Sequence, residues 1–297
     1  MALKDDIRKI AGKIAGVNKL QEQVDAAFYF LNQYCDITKA PKATGALRDL
    51  QECDTVLLAI VDKLCRKHSL TYWLEAGTLL GAVRHGGFIP WDDDIDVFMP
   101  RDSFDRAKTV LCEELKSYGI DAEEDILMSR IGIGYKHKQT GIWVDVFSVD
   151  YCNMDMQNHA NRVALKNQIN RYRKHLSRTD EKKNLERKSR ILPSLSTKEN
   201  AVSVLFSPES TADLRAWNME TVFPLREIPF EDFFFYAPLD EHHLTEFYGP
   251  NYMSFPQTGL MHHGDASGGL ASWAKNSGTD MADIKKELGA ILNNLGN

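Results

Sequence analysis

Three aspartates, Asp92, Asp94 and Asp96, share one parity in the run Trp91-Asp92-Asp93-Asp94-Ile95-Asp96-Val97. In an extended strand successive side chains point to opposite faces, so Asp94 and Asp96 project together while Ile95 and Val97 pack beneath them. Carboxylates held that close repel unless a proton or cation lies between them. Hard oxygen ligands at neighbouring positions suit Mg²⁺ or Mn²⁺, which bind through one or two carboxylates plus the phosphate oxygens of a substrate. Sixteen residues before Asp94 lies Gly77-Thr78, preceded by the short run Tyr72-Trp73-Leu74-Glu75-Ala76. A strand running into a glycine turn and a helix start leaves unpaired backbone N–H groups that favour an anion. Gly77 and Thr78 are therefore candidate phosphate ligands, and Gly81 would allow close approach. Arg84 and His85 close that helix before Gly86-Gly87; they either reach phosphate oxygens or are cations at a helix C-terminus, where positive charge is favoured without any function. Together these residues point to metal-assisted transfer of a phosphate-containing group.

A two-acid strand needs another strand beside it to complete such a site. The run Gly141-Ile142-Trp143-Val144-Asp145-Val146-Phe147-Ser148-Val149-Asp150 reads as that strand, rich in β-branched and aromatic residues. Its Asp145, flanked by apolar residues, is either a buried structural acid or the third carboxylate of the cluster.

Gly77-Thr78, Asp94-Ile95-Asp96-Val97 and the later Asp145 resemble the glycine turn and three carboxylates of the nucleotidyltransferase superfamily. More closely, the whole run from Tyr72 to Asp96 resembles the LicD family, which includes bacterial phosphocholine transferases and animal fukutin-related ribitol-phosphate transferases. The likeness extends more weakly to Asp145 and to a later block, Phe230-Glu231 through Ala237-Pro238 and Tyr248-Gly249-Pro250-Asn251-Tyr252-Met253 with Pro256, covering about residues 50 to 260. The resemblance implies transfer of a phospho-alcohol from a CDP-activated donor to a hydroxyl of a cell-surface glycan or its lipid-linked precursor, with release of CMP. It implies Asp94, Asp96 and Asp145 as catalytic and metal-binding residues with Mg²⁺ or Mn²⁺, Asp145 also serving as base for the acceptor hydroxyl. Asp92 would be a further ligand or support one, and Asp93 is expected to face solvent. Phosphocholine is the favoured group; ribitol phosphate and glycerol phosphate are the alternatives. The aromatic residues near the motif could cage a quaternary ammonium, although aromatic residues in strands are more often core.

Two other enzyme readings use similar acids. A true nucleotidyltransferase would leave a nucleoside monophosphate on its acceptor, and a glycosyltransferase with an Asp-x-Asp site would lack the Gly-Thr turn and the later acid. A calcium loop starting at Asp92 fails, because its sixth position is Val97 and its twelfth Ser103.

Positioning these groups calls for a mixed sheet flanked by helices, an α/β (α+β) core of nucleotidyltransferase type with helical parts at both ends. The expected organisation is a helical extension at 1–45, the catalytic core at 46–153, a basic helical segment with the C-terminal LicD-type region at 154–266, and a helical tail at 267–297. Leu20, Val24, Phe28 and Leu31 recur at helical spacing, as do Leu47, Leu50, Leu57, Val61 and Leu64, which predicts two helices packed on the sheet. Strands are expected at 71–76 and 94–99, a helix from Asp102 to Tyr118, and a strand within Ile126–Lys138. Gly132-Ile133-Gly134 there is no dinucleotide fingerprint, since the third glycine is missing.

The 297 residues suffice for one large or two modest domains. No signal-peptide stretch is evident, and the longest clear apolar run, Val56 to Val61, is far too short to span a bilayer; a cytoplasmic protein, peripheral at most to the inner face of the cell membrane, is expected. Five scattered cysteines without a Cys-x-x-Cys pair indicate neither disulfides nor zinc. The pairs His242-His243 and His262-His263 are poor zinc ligands, because neighbouring side chains diverge. Residues 162–190 carry eleven Lys or Arg against three acids, a local balance of +8 in a chain of net charge −6. That segment is either a solvated helix or a peripheral contact with an anionic membrane. Nucleic-acid binding has no further support.

Overall fold

The computed structural model describes residues 2–136, 140–211, 213–255 and 280–295, with residues 2–15 described by their backbone alone. The fold centres on helix α2 (Ala46–Lys67), whose stripe of Leu50, Leu57, Val61 and Leu64 is fully buried against the sheet. Strand β1 (Trp73–Leu74) leads into α3 (Ala76–His85), and β2 (Asp96–Pro100) runs directly into α4 (Arg101–Ala107). After α5 (Val110–Ser117) come β3 (Asp121–Asp125), β4 (Arg130–Gly134) and the long β5 (Trp143–Cys152). The order across the sheet is β1-β2-β5-β4-β3. Among the described strands of this order only β2 and β5 run parallel; the other pairs are antiparallel. The mixed sheet with flanking helices is the architecture expected.

Past residue 153 the sheet continues. Helices α6 (His159–Arg173) and α7 (Glu181–Ile191) precede β6 (Ser203–Phe206), which pairs with the C-terminal half of β5, and β7 (Ala216–Asn218), which pairs with β6. A separate hairpin, β8 (Arg226–Phe230) and β9 (Phe233–Ala237), covers the α3 side. Helix α8 (Met281–Asn294) lies along α2 and buries Met281, Ile284 and Leu288.

Four expectations change. Asp94 lies in the loop before β2 rather than within a strand. The helix expected at 102–118 is broken at Lys108–Thr109, where the Thr109 hydroxyl and N–H both return to the Arg106 carbonyl, a local alternative to the helical bond. The acidic run Asp121–Asp125 forms an unexpected strand, supplied with partners by β4 and kept from further pairing by its charges. Finally, α1 (Ala2–Tyr34) does not pack on the sheet: Leu20 is 61% exposed and Val17 64%. No described helix is long and apolar enough to cross a membrane.

Candidate active site

One face of the sheet is packed throughout; the other is covered by a cluster of Trp73, Phe98, Val149, Tyr151 and Trp217 and is open only beyond it. Val97, Met99, Ile131, Ile133, Val144 and Val146 are buried on the packed side. The alternate residues form a row across the open side, because Glu123 pairs with Gly132, Gly132 with Asp145, and Asp145 with Asp96. Glu75 extends the row, its N–H donating to the Asp96 carbonyl. Strand pairing alone thus brings Asp96 and Asp145 side by side, about 4.8 Å apart across the ladder.

Asp92, Asp93 and Asp94 follow the tight turn after Pro90, held by the Gln51 amide, which donates to the Asp92 carbonyl at 2.8 Å. Carboxylate oxygens of these three lie within 4.8 Å of one another. Asp93, expected to face solvent, therefore belongs to the acidic group. The Asp96 carboxyl titrates well above its usual range because it is buried and faces Asp94, Asp145, Asp92 and Glu75. Such a set of oxygens and mutually repelling charges fits a hard divalent cation.

Asp145 is gripped at both oxygens. The Trp143 indole N–H donates to one, and Arg130 to the other at 2.9 Å. Burial raises the Asp145 pKa, while Arg130 and Trp143 work against the rise. A side chain at Gly132 would collide with the benzo edge of Trp143, so the glycine is what lets the indole reach over β4. Beneath the acidic loop, Asp54 of α2 accepts from the Trp143 backbone N–H at 2.8 Å; its other oxygen is buried without a hydrogen-bond partner. Burial drives its pKa far up, aided by Asp94 and Asp93. Beside Asp145 a cavity of about 410 Å³ is lined by Glu123, Asp125, Arg130, Trp143 and Arg178, among others.

The glycine turn serves the acids directly. Glu75 caps α3 by accepting from the Ala76 N–H, and Thr78 accepts the Asp96 N–H at 2.8 Å, tying the helix start to β2. A Cβ at Gly77 would lie 2.6 Å from Asp92 Oδ2, so this glycine admits the Asp92 carboxylate to the helix N-terminus. Gly81 does not join the site: a Cβ there would strike the Gly87 carbonyl, and its role is to let the 86–89 loop pack on α3. Arg84 is buried, donating to the Tyr252 carbonyl at 2.9 Å and to His85 Nε2 at 3.0 Å. Burial and Arg84 together depress the His85 pKa to about 4, so His85 is a neutral acceptor at pH 7. Arg84 thus ties the C-terminal block to α3, while His85 holds Arg84 and packs edge-on against Trp91. From that block Tyr248, 41% exposed as a whole, joins the site: desolvation, then Asp92, Asp96, Glu75 and Asp94, raise its phenol pKa.

The two histidines of the pair at 242 and 243 diverge as expected. His242 lies exposed on Asp240, whereas His243 is buried, 2.6 Å from Glu75 Oε2 and stacked on Trp217. His262, His263 and Pro256 lie outside the described residues. Arg130, Asp54, Glu75 and Tyr248 carry no site role in the sequence, and Trp143 only that of one of the aromatic residues near the motif. The available signal for Arg130 was its shared parity with Gly132 and Gly134, which assigns it to one face of β4.

Residues 69–177 match the family model described as LicD/FKTN/FKRP, nucleotidyltransferase domain. Among curated proteins, the lipopolysaccharide cholinephosphotransferase LicD of Haemophilus influenzae is 46% identical over 87 residues, 28% of this chain and 33% of that protein. An uncharacterized protein of Rickettsia prowazekii is 54% identical over 41 residues, 14% of this chain and 15% of that protein. The human ribitol 5-phosphate transferase FKRP is 43% identical over 51 residues, 17% of this chain and 10% of that protein. The chain thus spans a third or less of the length of these relatives.

Proposed function

Because the chain belongs to the LicD family through its domain at residues 69–177, we propose that it transfers a phospho-alcohol from a CDP-activated donor to a hydroxyl of a glycan or lipid-linked glycan, releasing CMP. Two relatives are named for transferring a phospho-alcohol, phosphocholine in one and ribitol 5-phosphate in the other. Phosphocholine is favoured here, since the match to the cholinephosphotransferase, 87 residues, is longer than that to the ribitol 5-phosphate transferase, 51 residues. The observation that carries the reading is the pairing of Asp96 with Asp145 beside the acidic loop at the start of α3.

Asp92, Asp94 and Asp96, with Asp145 adjacent, would hold Mg²⁺ or Mn²⁺, which supplies positive charge to the phosphate oxygens when bound. Gly77 and Thr78 present the start of α3 to the donor pyrophosphate. The acceptor hydroxyl oxygen forms its bond to the phosphorus of the phospho-alcohol, and the bond from that phosphorus to the bridging oxygen breaks, its electron pair leaving with CMP. The hydroxyl proton passes to the Asp145 carboxylate, which Trp143 and Arg130 hold in one orientation. The neighbouring cavity, with Trp143 and several charged groups in its wall, supports an acceptor sugar approaching from that side. The exposed Lys and Arg of 162–190 support peripheral contact with an anionic membrane on the cytoplasmic side.

The test is a screen of CDP-choline, CDP-ribitol and CDP-glycerol with a glycan acceptor, with Mg²⁺ or with a chelator. Metal-dependent CMP release with the alcohol phosphate left on the acceptor is expected. Consumption of free nucleoside triphosphates, leaving a nucleoside monophosphate on the acceptor, would sink the reading.

A further inference from the structure

The sequence of α1 carries a pattern that its surroundings leave unused. Stepping alternately four and three residues from Leu3 to Leu31, every position except Gln21 is apolar. This is a heptad repeat sustained over four heptads, with Ile7, Ile14, Gln21 and Phe28 at the first apolar position and Leu3, Ile10, Val17, Val24 and Leu31 at the second. Such spacing keeps an apolar seam in register only when a second helix lies along it. Among the described residues no other helix packs along α1. Val17 is 64% exposed and Val24 37%, and only Phe28 and Leu31 of the described seam positions are partly covered. An apolar stripe of this length in water marks an interaction surface.

We propose that α1 pairs antiparallel with the α1 of a second copy of the chain. The seam is self-complementary. In the antiparallel register that sets Ile14 against Val17 of the other copy, the flanking positions bring Lys4 opposite Asp25 at both ends and no like charges meet. The parallel arrangement stacks Gln21 on Gln21 and Phe28 on Phe28 and pairs no opposite charges. A single polar residue at a first position is a recurring device for setting register and partner number. The inference is independent of the proposed transfer reaction.

Light scattering on the full chain should give twice the chain mass of 33.7 kDa at micromolar concentration. Val17→Asp with Val24→Asp should halve that mass while leaving the main unfolding transition in place, since both side chains are exposed and touch no core. In a Cys35→Ser background, a mixture of Ile14→Cys and Val17→Cys chains should cross-link under mild oxidation, and Val17→Cys alone should not. Wild-type protein of single-chain mass, an unchanged mass in the double variant, or Val17→Cys cross-linking to itself would each overturn the proposal. Single-chain protein that sediments with anionic phospholipid vesicles would assign the stripe to a membrane and overturn it as well.

Discussion

Asp96 and Asp145 are register partners on the only parallel strand pair of the described sheet, so the sheet itself forces two carboxylates together where, among the described residues, no ion pair reaches both. Asp96 takes most of the strain, its pKa raised by burial and by Asp94, Asp145, Asp92 and Glu75. A folded-state value above the unfolded one means that the contribution to stability is full below the unfolded pKa of about 3.9 and is lost as pH rises through the folded value. In chelator-treated protein at pH 7, Asp96→Asn should therefore raise the melting temperature, and the gain should shrink toward pH 4. Added Mg²⁺ should raise the melting temperature of the wild type but not of Asp94→Asn or Asp96→Asn, while turnover in both variants falls by about two orders of magnitude or more. Near-normal turnover with metal present would contradict the assignment.

Arg130 holds down the pKa of Asp145. It donates to the carboxylate at 2.9 Å and is the first of the groups that oppose the rise caused by burial. Removing it in Arg130→Gln lets the Asp145 pKa climb further, so a larger fraction is protonated at a given pH. Since the proposed base acts ionised, the acidic limb of the kcat/KM profile should move to higher pH, with the alkaline limb in place. A variant that loses rate equally at every pH would leave Arg130 a packing role only.

How much of this was legible from residue types follows the kind of interaction involved. Asp94, Asp96 and Asp145 could be read because alternation along a strand survives in the sequence. Their pairing could be expected, but the register that matches Asp96 to Asp145 and Gly132 to Trp143's overhang is a long-range property with no local signature. Asp94 falls just before the strand, a boundary that the period-2 pattern does not mark because it does not say where ladder bonds begin. Tyr248 and His243 come from a segment more than 150 residues beyond Glu75, and only folding brings them to it. For α1, helical spacing marks the helix but not what it packs against, and the sheet is not its partner.

The basic segment at 162–190 is in part an internal counter-charge. Lys188 is buried on α7 and contacts Asp150 at 2.6 Å and Glu209 at 3.0 Å, with Arg101 completing the group. Breaking a buried pair by removing one partner costs about 3–5 kcal/mol, so Lys188→Ala should lower stability by that order in denaturant titration. Arg101 and Lys188 hold both carboxyls below their usual values against burial. The stability they contribute is present above the unfolded carboxyl values and is lost as pH falls toward the depressed folded ones. Asp150→Asn should therefore flatten the acid side of the stability curve, and an unchanged acid limb would show that the network carries no such linkage.

Glu75 links the active site to the C-terminal block through a single buried cluster. Its Oε2 receives the Trp73 indole N–H at 2.9 Å and lies 2.6 Å from His243 Nε2, while Oε1 accepts the Ala76 N–H that opens α3. His243 is in turn stacked on Trp217, whose indole donates to the His243 carbonyl. His243→Phe keeps the stacking volume but leaves Glu75 short of one partner, which costs about 1–3 kcal/mol for a buried acceptor. Because the same carboxylate caps α3 and its backbone N–H binds the Asp96 carbonyl, the loss should also reach the site. We expect the concentration of Mg²⁺ needed for half-maximal thermal stabilisation to rise several-fold in His243→Phe, and His243→Gln, which retains a donor, to recover part of it. Equal metal dependence in both variants and the wild type would confine the cluster to holding the two parts of the chain together.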